Sequence, residues 1–328
     1  RPPRSTLFPY TTLFRSIALR HWGAPTSTGG SRIDTELNAR IKGARTEDPG
    51  RWVQANHPIV GTVFFDRDGN GVQDGGFAGF EQMIDGAEVW STEILNLHPT
   101  YSGKGVAGAG NAGLQNRTFG WLQMLNQGRR VWCVAVSDAH RIFGNGVGAW
   151  RTYVPSATDD PARIDPAEMI RNSKAGRMML TNGPFLTVAT ADGLPIGSTV
   201  IAEGHLDLNI SVKAANWVAV DRVQILVNGR QPAAYNFTRR QHPAMFQDGT
   251  LRFQQTVRVK LEQDAHLIVV ATSESADLKN GWGRNPYGNM HPIAYTNPIF
   301  VDVDRNGWQP SGDTLGHPLI TTPKPAAR

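Results

Sequence analysis

The stretch VWCVAVSDAH, residues 131–140, decides how this chain is read. Its apolar first part reads as a buried strand that runs straight into Ser137, Asp138, Ala139 and His140. Strand side chains alternate with a period of two, so Asp138 and His140 face the same side. A carboxylate and an imidazole converging at a strand end suit a metal ion such as zinc, manganese or iron. The same residues also fit a polar turn with His140 hydrogen-bonded locally. Two further strand-like runs favour the metal. RWVQANHP, residues 51–58, carries His57 just before a proline, and GAEVW, residues 86–90, sets Glu88 inside an apolar stretch. Strand ends that offer His, Glu and an Asp/His pair, with helix-sized spacers between them, are what a β/α barrel gathers around one mouth.

Taken together, NHP at 56–58, EVW at 88–90, SDAH at 137–140 and TNGPF at 181–185 resemble the PHP (polymerase and histidinol phosphatase) metallohydrolases. The similarity is greatest to their carbaryl-hydrolase-like branch and spans about residues 45–310. It implies a distorted β/α barrel with a two- or three-metal site that activates water to hydrolyse a small-molecule ester or phosphoester. It makes His57, Asp138 and His140 metal ligands, Asp138 and His140 also catalytic, and Glu88 a residue that orients ligands or shapes the site.

One departure matters. Barrels of that family open with His-x-His on the first strand, and this sequence has none; His21 is the only histidine before His57. Residues 1–16, RPPRSTLFPYTTLFRS, resemble translated sequencing-adapter read-through and are set aside as an artefact. The chain is therefore expected to join the barrel partway through and to lack part of the ligand set.

The 328 residues suffice for two domains, and 40% hydrophobic residues with 9 Trp indicate an ordered globular protein. The formal charge of +5 owes three units to Arg1, Arg4 and Arg15, and no basic run follows, so nucleic-acid binding is disfavoured. Cys133 is the only cysteine, so no intramolecular disulfide forms, and a buried, inert thiol is expected there. No apolar run is long enough for a membrane span.

Residues 116–128 read as a helix, with Asn116 as cap, Phe119, Leu122 and Leu125 on one face, and Gly128 past its end. Residues 165–176 read as another, with Asp165 as cap, Pro166 in the first turn and Glu168 completing a capping box. Residues 33–41 offer a short third. After Pro184 the period changes to two. Leu206, Leu208, Ile210 and Val212 alternate with polar residues, as do Val223, Ile225 and Val227 before the hairpin signal Asn228-Gly229. Leu251, Phe253, Val257 and Val259 are expected to share one face, and residues 267–271 are nearly all apolar. The fold expected is α/β: a partial PHP-type barrel over 17–185, an Ig-like β-sandwich over 186–305, and a fraying Pro/Gly-rich tail over 306–328. A partial parallel sheet leaves edges unpaired, so the first half is expected to fold poorly or to borrow the sandwich as cover.

Other residues carry chemistry too. Asp66, Asp68, Asn70 and Asp74 have the front spacing of a structural calcium loop, but Phe77 stands at its twelfth position. Asp302, Asp304, Asn306 and Gly307 repeat that spacing, with Asp313 twelfth; coming out of a strand, they are expected to form a terminal turn. Arg141 and His98 are candidate contacts for an anionic substrate. A reading of a different class makes the chain a calcium-stabilised, noncatalytic sandwich that recognises a glycan or protein partner, with Trp217 as a contact. Neither a Gly-x-Ser-x-Gly elbow nor a P-loop occurs.

Overall fold

Strands β1 (Ile17–Ala18), β2 (Gln54–Asn56), β3 (Gly86–Ala87) and β4 (Trp132–Cys133) lie side by side in chain order, all parallel. The computed structural model describes residues 17–18, 50–56, 84–99, 116–137, 139, 146–284 and 286–319. Parallel neighbours need crossover connections, and the one between β3 and β4 contains helix α1 (Arg117–Asn126). The four strands form an open sheet, and no barrel closes among the described residues. The expected helix over 33–41 lies outside them.

Helix α1 starts and stops as its sequence dictates. Asn116 Oδ1 accepts from Phe119 N at 3.1 Å. At the other end Gly128 takes φ +82°, Gly128 N donates to Leu125 O and Arg129 N to Met124 O, which satisfies two terminal carbonyls. The helix is not one-sided, however. Thr118, Gln123 and Asn126 are buried along with Phe119, Trp121, Leu122 and Leu125. The tail expected to fray covers the polar face: Gln123 Nε2 donates to Thr314 O at 2.8 Å, Asn126 Nδ2 to Asp313 O at 2.9 Å, and Leu315 is buried.

The remaining elements are β5 (Arg151–Tyr153), α2 (Pro166–Lys174), β6 (Met179–Thr181), β7 (Phe185–Thr190), β8 (Thr199–Ile201), β9 (His205–Lys213), β10 (Arg222–Val227), β11 (Asn236–Thr238), β12 (Leu251–Lys260), β13 (Ala265–Thr272), α3 (Lys279–Trp282), β14 (Ile293–Thr296) and β15 (Ile299–Asp302). Asp165 caps α2 through Ala167 N and Glu168 N. Glu168 does not complete a capping box; its carboxylate accepts from Ala157 N at 2.9 Å.

Two sheets pack face to face. One runs β12-β9-β7; the other runs β11-β10-β13-β14-β6-β5, with β15 beside β13 and β8 beside β15. Between them lie Leu208, Ile210, Val212, Phe253, Val257 and Val259 on one side and Val223, Ile225, Leu267 and Val269 on the other. Asn228 and Gly229 both take positive φ, and Val227 and Arg230 exchange backbone hydrogen bonds across them, as the hairpin signal requires. The expected single face of β12 is interrupted: the register shifts between Leu251 and Phe253, so Arg252 is buried beside Phe253 while Leu251 is half-exposed.

The large sheet crosses the expected boundary at 185/186, because β5 and β6 join it through β14. It also has two covered faces. Leu180, Leu226, Ile268, Val270, Tyr295 and Phe300 point away from the sandwich and pack with α1, Ala87, Val89, Cys133 and Ala135 in one core. Residues of β13 are buried on both sides, which explains the nearly continuous apolar run there. The parallel sheet thus takes the large sheet as cover.

The open edge of β4 is closed by side chains. Asn297 Oδ1 accepts from Cys133 N at 2.8 Å, and its Nδ2 donates to Cys133 O at 3.0 Å. Thr152 Oγ1 likewise serves both Ala135 N (2.8 Å) and Ala135 O (2.9 Å). These two residues of the large-sheet region act as a surrogate strand. Replacing Asn297→Ala is expected to cost about 2–4 kcal/mol by orphaning two buried backbone groups, read as a lower urea midpoint; an unchanged midpoint would refute the role.

His266 is fully buried, and neither ring nitrogen meets a hydrogen-bond partner. Burial lowers its pKa from 6.5 to about 3, so the ring is neutral in the folded protein. Unfolding therefore takes up a proton between these values. Stability should be complete above pH 6.5 and fall towards pH 3 by at most about 1.4 kcal/mol per pH unit. The melting temperature of the parent should fall more steeply than that of His266→Leu as pH drops from 7 to 4; parallel curves would exclude the effect.

Candidate functional site

Because β2, β3 and β4 are parallel and in register, their C-terminal ends reach one edge of the sheet. Ala55 lies opposite Ala87, and Ala87 opposite Cys133. In sequence, His57 follows directly after β2, Glu88 directly after β3, and Asp138 and His140 shortly after β4. His57, Asp138, His140 and Arg141 lie outside the described residues, as do Asp66, Asp68, Asn70 and Asp74.

Glu88 is described, and it is 2% exposed. Its Oε1 accepts from Trp90 Nε1 at 3.1 Å. Trp90 packs on Trp150 with ring centroids 4.6 Å apart, and Trp150 meets Tyr295 edge-on at 6.3 Å. The indole donor, itself fixed by ring packing, orients the carboxylate. The exit of β4 is also held: Ser137 Oγ accepts from Gly148 N at 3.4 Å, and Ser137 O accepts from Tyr287 Oη at 3.3 Å. Gly146 has φ +61° and leaves no room for a Cβ against the Tyr287 ring. A side chain there would displace the ring that anchors this exit.

Beneath the edge, Tyr295 Oη accepts from Ser91 N at 3.2 Å and lies near the Cys133 thiol. Burial pushes the Cys133 thiol far up, and the nearby Glu88 charge adds to it. Burial also holds the Tyr295 phenol well above its ordinary value. Both groups stay protonated, so Cys133 is a packing residue and not a nucleophile.

His98 sits in the loop that leaves β3. Asn116 Nδ2 pins this loop to the start of α1 by donating to Asn96 O at 2.6 Å and His98 O at 3.2 Å. Its exposed side chain lines an open cleft of ≈ 570 Å³ with Leu95, Asn96, Arg230 and Gln231. The His98 ring stands edge-on to His317 at 5.2 Å. Arg230 is not available to an anionic ligand, since it grips Asp313 through two hydrogen bonds of 2.7 and 2.8 Å. That pairing raises Arg230 and lowers Asp313. Trp217 is 44% exposed, and its ring lies against Gly281.

Compared with known proteins, the chain matches no family model and no curated sequence. Among the described residues, no helix is long and apolar enough to cross a membrane. Sequence reasoning missed Asn297 and Thr152, whose roles depend on a strand edge distant in the chain. It also missed Asp264, which lies with Asp302 and Asp304 in a carboxylate cluster far from the parallel-sheet edge in sequence.

Native Cys133 is expected to resist a thiol reagent such as dithionitrobenzoate and to react stoichiometrically in denaturant. Rapid reaction of the native protein would show that the thiol is open to attack.

Proposed function

We propose that the chain acts as a PHP-type metal-dependent hydrolase of small-molecule esters or phosphoesters, with a partial barrel followed by an Ig-like sandwich. The observation that carries this reading is the parallel sheet itself, which sends the chain out of β2, β3 and β4 at one edge. The residues that follow these strands are an imidazole, a carboxylate and an Asp/His pair. This set of nitrogen and oxygen donors suits zinc, manganese or iron.

In this reading His57, Asp138 and His140 hold the metal, and Asp138 also orients the attacking water. Glu88, held by Trp90, keeps the neighbouring strand exit in place. When bound, the metal lowers the pKa of its water to about 7 and stabilises negative charge on the attacked oxygen. In the same reading Arg141 pairs with an anionic substrate group and His98 contacts the rest of the substrate. The sequence contains no His-x-His, so His57, Asp138 and His140 are only part of the ligand set that a two- or three-metal site of this kind uses.

The test is turnover of p-nitrophenyl acetate and bis(p-nitrophenyl) phosphate with added zinc or manganese, alongside calorimetric titration of each metal. His140→Ala is expected to remove metal-dependent turnover and to weaken metal binding by about tenfold or more. Unchanged turnover in that variant would remove the mechanism.

A further inference from the structure

Asp264, in the turn between β12 and β13, faces Asp302 at the end of β15. The antiparallel pairing puts Ala265 opposite Val301, so the next step brings the two carboxylates together. Asp304 completes the group, and an oxygen from each of the three lies within 4.8 Å of the others. Like charges directly opposite on paired strands destabilise a sheet. Among the described residues, no salt bridge reaches any of these carboxylates. Arg305, the basic residue inside the loop, turns instead to Glu203, with Nε 2.8 Å from Oε1.

Backbone amides already orient the group. Asp264 Oδ1 accepts from Val303 N at 2.8 Å and Oδ2 from Gln309 N at 2.6 Å. Asp302 Oδ2 accepts from Gly307 N at 2.9 Å, and Asp304 Oδ1 from Asn306 N at 3.3 Å. One atom is left over. Asp302 is 5% exposed, and its Oδ1, sealed from solvent, has no hydrogen-bond partner. A buried carboxylate oxygen without a donor is costly, and a neutral water cannot offset the charge of three neighbouring carboxylates.

We propose that Asp264, Asp302 and Asp304 form a calcium site that locks the end of β15 to the β12–β13 turn. Hard carboxylate oxygens are what calcium selects, and waters and backbone carbonyls would complete its roughly six to eight ligands. Asn306 and Gly307 continue the spacing of a calcium loop. The site differs from such a loop in how it closes. Asp313, at the twelfth position, is gripped by Arg230, and Leu315 N also donates to it at 2.8 Å. The remaining carboxylate comes from Asp264, across the sheet. The ion replaces what the sequence alone reads as a plain terminal turn. Its role is structural, and it is independent of the hydrolase reading.

The experiment is a thermal melt of the full chain in EDTA and in calcium chloride, with terbium luminescence to measure affinity. Saturating calcium is expected to raise the melting temperature by about 5 °C. Asp302→Asn and the exposed Asp304→Asn should each weaken calcium binding by about tenfold or more, in line with the dependence of affinity on ligand charge. In EDTA, Asp304→Asn should melt no lower than the parent, because it removes a like charge. Asp66→Asn, in the other candidate loop, should leave this shift intact. The proposal is overturned if calcium causes no shift, if the shift survives with unchanged affinity in both Asp302→Asn and Asp304→Asn, or if Asp66→Asn abolishes it.

Discussion

The large sheet is covered on both faces, and most of the structure depends on that constraint. A sheet wet on one side could stand with the three-stranded sheet as a separate sandwich. Here Ile268, Val270, Tyr295 and Phe300 are buried on the other side, against α1 and the parallel strands. Each of those partners is too small to bury its own apolar surface alone. The two halves of the chain therefore share the core on that side of the sheet, while the sandwich keeps a core of its own on the other.

Polar side chains then do what backbone does elsewhere. Asn297 and Thr152 complete the hydrogen bonds of β4, which has no further strand on that side among the described residues. Gln123 and Asn126, on the helix face that would normally meet water, donate to carbonyls of the C-terminal segment. The same logic recurs at Asn182, which closes a turn by donating to His291 O and accepting from Ile293 N. Amide side chains suit these places because each carries a donor and an acceptor, and so can satisfy a strand's N–H and C=O together.

The exits of β2, β3 and β4 were legible in sequence, because short apolar runs that end in polar residues are local signals. The surroundings of Glu88 were not. Its Trp90 donor lies two residues on, but the Trp150 ring that packs on Trp90, and the Tyr295 ring beyond it, come from far along the chain. The Asp264, Asp302 and Asp304 cluster shows the same divide. The spacing of Asp302, Asp304 and Asn306 is visible in sequence, yet only strand pairing brings Asp264 across to them.

The sequence by itself determined the local features: the caps Asn116 and Asp165, the positive-φ glycines that end α1 and α2, the Asn228-Gly229 turn, and the alternating strands. Each depends on backbone preference or on neighbours a few residues away. Tertiary structure alone decided that β5 and β6 join the large sheet, that the tail from Gly312 to Leu315 seals α1, that Leu251 and Phe253 fall out of register, and that Glu168 bonds outside its helix. These outcomes turn on which edge or face remains uncovered once the other elements have packed. That is a property of the whole chain, and no window of its sequence contains it.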